Sequence, residues 1–174
     1  MKSVYNFVVK PKGERYNNTK KLDGGELILN TEIFNHQYVN REAEVISIPI
    51  IGDTDIKPGD TVIVHHNVFR RWHNVKGIEK NSRAYFDEDT YFINDDQIFL
   101  YKRDDKWIVP KGYCFVIPLK AQNPFNIDME KPLQGIVKYS DGTVKVGDLV
   151  GFRPSSEYEF IVDGERLYRV LSNF

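Results

Sequence analysis

Three histidines in this chain could bind a metal ion. His65 and His66 are adjacent, and His73 follows in the same polar segment. If the first two lie on a strand, successive side chains point to opposite faces and cannot bind one ion together. No Cys or carboxylate at ligand spacing supports them. The sequence therefore predicts no metal site and no cofactor, and it favours a surface loop here.

Two acidic runs could supply paired carboxylates for general acid–base catalysis. They are Asp87-Glu88-Asp89 and Asp104-Asp105. Acidic runs at turns are normally solvated, and no nucleophile or general base accompanies them. The sequence also lacks a Gly-rich phosphate loop and a nucleophile elbow. We therefore predict no catalytic residues and a protein that is not an enzyme.

The segment 65–83 interleaves cations with aromatic rings, as proteins that bind single-stranded nucleic acid do. The residues concerned are Phe69, Arg70, Arg71, Trp72, Lys76, Lys80 and Arg83. The whole chain has a formal net charge of −1, so it has no overall basic field that attracts nucleic acid. We interpret this segment as a basic insertion whose aromatic rings pack against the protein or a neighbouring subunit.

A compact apolar trio, Leu27-Ile28-Leu29, follows the glycine pair Gly24-Gly25. The lead-in, residues 11–23, is polar and has almost no hydrophobic side chain to bury. Such a segment cannot offset the entropy lost on ordering, so we expect a mobile loop at about 12–40. The trio is either a short strand packed on the core or an anchor for an apolar groove on a partner. The glycines and the long polar lead-in favour the anchor.

The elements that must position this loop occur twice. Residues 56–64 (IKPGDTVIV) reappear as 144–152 (VKVGDLVGF), each with a Gly-Asp turn that leads into a strand. The match extends on both sides. Upstream, 5–11 corresponds to 113–119, and downstream, 87–92 corresponds to 163–168. One small β-unit used twice is thus predicted, over 1–105 and 106–174, and only the first copy has the long loop.

Short predicted strands are separated by turn residues, and no segment shows the 3.6-residue periodicity of a helix. This pattern predicts an all-β chain of two tandem small β-barrels. Asp163-Gly164 between apolar residues is a strong hairpin signal. The single cysteine, Cys114, excludes an internal disulfide and should be a small buried residue. No apolar run is long enough to span a membrane, and no signal-peptide core is present, so we expect a soluble, unexported protein.

The order of these elements resembles the GroES-type co-chaperonins, the small lids of the large ring-shaped chaperonins. Four pieces carry the resemblance: Phe7-Val8-Val9-Lys10 as the opening strand, Gly24 to Leu29 as the mobile loop with its anchor, Val62-Ile63-Val64 after Gly59-Asp60, and Asp95 to Phe99 as the closing strand. The resemblance covers the first unit almost throughout and the second most clearly over 135–168. Lid proteins encoded by bacteriophages look similar.

The resemblance implies two GroES-like barrels and a co-chaperonin that caps an ATP-loaded, GroEL-type chaperonin ring and so assists protein folding. The nucleotide would act through the partner, and the location would be the cytoplasm, or the host cytoplasm for a phage protein. A homo-oligomeric ring is implied, with a heptamer favoured. The implied chaperonin-binding residues are Gly24, Gly25, Glu26, Leu27, Ile28 and Leu29.

Four departures from the family pattern accompany this resemblance. The chain has one residue more between the glycine pair and the end of the trio, so the anchor is Leu27-Ile28-Leu29 or Glu26-Leu27-Ile28. The roof hairpin of the bacterial family is reduced to about 49–55. The insertion 65–83 has no counterpart in short members. The second unit lacks the last strand of the family's barrel, which we expect a neighbouring subunit or the first unit to supply. Two other functions stay open: a structural or adaptor β-barrel, such as a virion component, and a barrel that binds single-stranded nucleic acid.

Overall fold

The computed structural model describes residues 1–15, 19–23, 25–28, 41–120, 130–156 and 158–172. Throughout these residues the chain is all-β, and the one helical element is a 3-10 turn, Asp95–Gln97. No helix in this part of the chain is long and apolar enough to cross a membrane.

The described residues form sixteen strands. In chain order they are β1 Phe7–Pro11, β2 Thr19–Leu22, β3 Gly25–Ile28, β4 Glu42–Ser47, β5 Thr61–Val64, β6 Arg71–His73, β7 Glu79–Asn81, β8 Tyr85–Asp87, β9 Thr90–Ile93, β10 Ile98–Arg103, β11 Lys106–Ile108, β12 Tyr113–Lys120, β13 Glu130–Ser140, β14 Leu149–Gly151, β15 Tyr158–Val162 and β16 Glu165–Leu171.

The chain divides into two compact units, Met1–Asp105 and Lys106–Phe174. A seven-stranded sheet has the order β11-β10-β5-β4-β1-β9-β8, and a five-stranded sheet has the order β14-β13-β12-β16-β15. Five strands therefore follow the same antiparallel order in both sheets, from β5 to β8 and from β14 to β15. Among the described residues no sheet closes into a barrel, so the predicted closed barrels are not confirmed.

The repeated Gly-Asp turn makes the same backbone hydrogen bonds in both units. Gly59 N donates to Val45 O over 2.7 Å and Val45 N donates to Asp60 O over 2.9 Å. In the second unit Gly147 N donates to Val137 O over 2.8 Å and Val137 N donates to Asp148 O over 2.9 Å. The two glycines have φ of 91° and 92°, a left-handed conformation that glycine adopts without strain.

These shared bonds fix which residues correspond, and they correct the sequence alignment by one position. Val9 pairs with Val45 and Val116 pairs with Val137, so Val9 corresponds to Val116 and not to Ile117. Because side chains alternate between the two faces of a strand, a slip of one residue would exchange core and solvent positions. Both Val9 and Val116 are fully buried, which is consistent with the structural register.

Each unit has its own apolar core, built from the inward positions of its strands. In β4 burial alternates, with Ala43, Val45 and Ser47 inward. The prediction for Cys114 is confirmed: it is buried against Val116, Val137 and Val170, and burial raises the pKa of its thiol to about 11. A thiol with such a pKa stays protonated and inert at neutral pH.

The side chains of the repeated turn differ. Asp60 is buried and accepts from Arg103 Nε over 3.0 Å and from Lys57 N over 2.8 Å. Burial alone would raise the pKa of Asp60, but the hydrogen bonds from Arg103 and Lys57 outweigh it, and the pKa lies below its ordinary value. Its counterpart Asp148 is exposed. The reason is that β10, which supplies Arg103, has no counterpart among the described strands of the second sheet.

We expect D60A to lower the free energy of unfolding of the first unit by about 2–4 kcal/mol at pH 7, because it leaves Arg103 and Lys57 N without their carboxylate. The matched D148A should change the second unit by less than about 0.5 kcal/mol. Hydrogen exchange at increasing urea concentration can follow each unit separately, through the backbone amides of β5 in the first unit and of β13 in the second. Because the folded pKa of Asp60 is depressed, its contribution is present above pH 3.8 and fades as the pH falls below that value. Equal losses in the two variants would contradict this assignment.

Gly135 of β13 corresponds to Ala43 of β4. Substituting alanine at Gly135, with Gly151 as the control position, gives a second prediction. A Cβ at Gly135 would lie 2.8 Å from Val116 Cγ2 and 2.9 Å from the carbonyl oxygen of Ile117. At Gly151 the nearest atom to an added Cβ is the Leu133 carbonyl oxygen at 3.7 Å. G135A should therefore destabilise the second unit by about 1–3 kcal/mol, whereas G151A should be nearly neutral, as measured by hydrogen exchange of the β13 amides in urea. A neutral G135A would show that the strands separate freely at this point.

Candidate functional site

Four of the six predicted binding residues lie on a strand, where the sequence indicated a loop. Gly25 to Ile28 form β3, which pairs antiparallel with β2 in the register Thr19↔Ile28, Lys20↔Leu27, Lys21↔Glu26 and Leu22↔Gly25. The two strands form a sheet of their own. Gly24 and Leu29, the other two predicted residues, lie outside the described residues, as do 16–18 and 30–40 of the expected mobile loop.

This hairpin belongs to the connection between β1 and β4, residues 12–41, which we call the arm. Its two ends lie side by side because β1 and β4 are paired neighbours, with Pro11 opposite Ala43. Lys12 N donates to Glu42 O over 2.9 Å, and Val64 N donates to Arg41 O over 2.8 Å. In the second unit the corresponding connection is only 121–129, between Lys120 and Glu130, which are also paired. A long arm on two fixed roots is thus specific to the first unit.

The first root of the arm is held by Arg15, a residue that sequence reasoning missed. Arg15 is 7% exposed, whereas the neighbouring Lys12, Gly13 and Glu14 are exposed. Its Nε and Nη2 donate to the carbonyl oxygen of Phe69 over 3.3 and 3.2 Å. Nη2 also donates to Asn81 Oδ1 over 2.8 Å. The segment 11–23 has almost no hydrophobic side chain, but it buries this guanidinium, which is possible because hydrogen-bond acceptors surround it.

Two tyrosines and one carboxylate complete the surroundings of Arg15. Its Cζ lies 5.4 Å from the centroid of the Tyr85 ring and 5.7 Å from that of Tyr91, both within cation–π distance. Its Nη1 lies 3.7 Å from Glu88 Oε2. Burial raises the pKa of Tyr91 to about 12, so this hydroxyl stays neutral beside the cation. The hydrogen bond to Glu88 raises the pKa of Tyr85 as well.

The basic insertion 65–83, expected as a surface loop, is a hairpin of β6 and β7 with Trp72 opposite Lys80. At its base Phe69 is fully buried, with its ring centroid 4.8 Å from that of Tyr91. A buried ring cannot stack on a nucleic-acid base, so the aromatic–cation pattern of the sequence does not form a binding platform at Phe69. Arg71 forms an ion pair with Glu79 across the hairpin at 3.9 Å.

The histidines do not form a metal site in the described part of the chain, where no group of three or more potential ligands converges. The expectation that His65 and His66 would point to opposite faces of a strand does not apply, because β5 ends at Val64. Both lie in the turn that follows, and their rings stack with centroids 4.3 Å apart. His73 lies on β6 opposite Glu79.

Both acidic runs lie in turns, as the sequence indicated. Asp87-Glu88-Asp89 joins β8 to β9, and Asp87 Oδ1 accepts from Asp89 N over 3.0 Å. Asp104 and Asp105 join β10 to β11 with φ of 50° and 59°. Asp and Asn adopt this left-handed conformation more readily than most residues, which explains the acidic pair at this position.

Comparison with known proteins gives no match for this chain: no family model, no curated protein and no solved structure is significantly similar.

Proposed function

We propose that this protein is a co-chaperonin that caps an ATP-loaded chaperonin ring through the arm and so assists protein folding in the cytoplasm. The observation that carries the proposal is the arm itself: a hairpin with both roots fixed on adjacent strands of a sheet. The residues proposed to contact the partner are Gly24, Gly25, Glu26, Leu27, Ile28 and Leu29, with Leu27-Ile28-Leu29 as the apolar anchor.

The free energies favour a ring of such arms over a single one. Burying one aliphatic side chain in a groove contributes about 1.5–3 kcal/mol to binding. The conformational entropy lost when the arm becomes ordered offsets much of this gain. One arm therefore binds weakly. Several arms on one rigid body bind well, because each later contact is intramolecular. Weak single contacts also permit release when the nucleotide state of the partner changes its grooves.

The repeated sheet order supports duplicated GroES-like units as the scaffold. Each unit has five strands in one antiparallel order, and the Gly-Asp turn is held by the same backbone bonds. Only the first unit carries an arm, so a sevenfold partner would be saturated by seven chains. We propose that the chain forms such a homo-oligomeric ring.

Retention on an immobilised GroEL-type chaperonin with ATP tests this proposal. The wild type should be retained, and L27D and I28D should abolish retention, because a carboxylate in an apolar groove costs more than one aliphatic contact provides. V75D is the matched control, since Val75 is a fully exposed apolar residue at the tip of the other hairpin.

The possible outcomes separate the competing functions. If the wild type is not retained, a structural or adaptor role replaces the lid. If L27D and I28D bind as well as V75D does, the anchor is assigned to the wrong residues. Salt-sensitive retention on single-stranded nucleic acid that is lost in R70E and R71E would favour the nucleic-acid function.

A further inference from the structure

We infer that the insertion 65–83 is a socket for the first root of the arm and that Arg15 is the positioning residue that occupies it. This inference rests on the proposed function for its consequence in partner binding, whereas the socket itself is a property of the free protein. The insertion would thus direct the arm toward its partner and would not itself bind a ligand.

The insertion supplies the polar wall of the socket. Two groups of the insertion accept hydrogen bonds from Arg15. They are the Phe69 carbonyl, just before β6, and the Asn81 side chain, at the end of β7. The base of the insertion is closed by Ser82, whose Oγ donates to Val68 O over 2.6 Å. Val68 and Phe69 are fully buried, so this base is part of the core of the unit. The acceptors are therefore held in place before Arg15 binds them.

The hairpin of β8 and β9 supplies the opposite wall. Tyr85 and Tyr91 contribute ring faces to the guanidinium, and Glu88 lies in the turn between the strands. The ring of Tyr91 also contacts that of Phe69 edge to face, which joins the two walls. A planar cation with directional donors fits such a site in one orientation, so the backbone at Arg15 leaves the socket in a fixed direction.

The second unit provides an internal comparison. Its strands β14 and β15 are joined by 152–157 alone, where the first unit has 65–84 between β5 and β8. Its connection equivalent to the arm is likewise short, at 121–129. The long arm and the insertion are thus present together in one unit and absent together in the other. This co-occurrence is expected if the insertion serves the arm.

The socket lowers the entropic cost of partner binding. Fixing the backbone of one residue costs about 1–2 kcal/mol in conformational entropy. With Arg15 seated, residues 12–15 are already ordered when the arm meets its partner. Without the Arg15 contacts, residues 12–15 must be ordered on binding, so the affinity of the arm for its partner must fall.

Limited trypsin digestion of the free full-length protein tests the socket without any partner. Trypsin must bind the side chain of the residue at the cleaved bond, so cleavage after the buried Arg15 should be slow in the wild type. N81A should accelerate cleavage after Arg15, and N67A, which changes an exposed asparagine of the same insertion, should not. Equal effects of N81A and N67A would overturn the socket.

Chaperonin binding tests the positioning role. R15M should weaken binding at least about tenfold under conditions in which hydrogen exchange of the β5 amides shows that the first unit is folded. Because it leaves the Phe69 carbonyl and Asn81 without their donor, R15M should also lower the stability of that unit. R15K should retain part of the affinity, and K12M, which removes an exposed cation from the same root, should bind like the wild type.

Two results of that experiment would overturn the positioning role. In one, R15M binds as the wild type does. In the other, its loss of binding merely follows a loss of folded first unit. If the wild type itself fails to bind, the proposed function and the positioning role fail together, whereas the digestion result still decides whether the socket exists.

Discussion

The antiparallel pairing of β1 with β4 is the constraint on which the rest of the first unit depends. With Pro11 opposite Ala43, the chain leaves and re-enters the sheet on neighbouring strands, about 4.8 Å apart. A connection between such points can lengthen at little cost, because the entropy of closing a loop grows only slowly with its length. The equivalent pairing in the second unit is Pro118 opposite Gly135, and there β12 and β13 stay paired as far as Lys120 opposite Glu130, so the connection between them is much shorter. One scaffold therefore supports both a long and a short connection.

The backbone of the repeated turn is set independently of its side chains. Gly59 and Gly147 have the same φ, and the bonds to Val45 and Val137 are the same length within 0.1 Å. Asp60 nevertheless is buried on Arg103, while Asp148 is exposed. A glycine in the left-handed region and two ladder bonds are thus sufficient for the turn, and the aspartate acquires a structural partner only where a further strand lies beside it.

Local features of this molecule could be predicted from its sequence, whereas contacts between distant segments could not. β5 occurs as predicted over Thr61–Val64, and the hairpin turn at Asp163-Gly164 has φ of 49° and 79°, as an Asp-Gly hairpin requires. Arg15 binds the Phe69 carbonyl, which lies 54 positions away in the sequence. Nothing in a polar stretch indicates which of its cations will make such a buried contact. The closure of a sheet likewise depends on how its edge strands meet, which alternation of apolar residues does not encode.

Tyrosines at one equivalent position lie beside an arginine guanidinium in both units. Tyr91 corresponds to Tyr168, since each pairs with the equivalent valine, Val9 or Val116. In the second unit Arg166 lies 5.3 Å from the Tyr168 ring centroid and donates to Glu130 over 2.9 Å, at the end of the short connection. A guanidinium suits a position beside a tyrosine ring because it combines stacking with several directional donors. Only in the first unit does this guanidinium, Arg15, belong to the connection between β1 and β4.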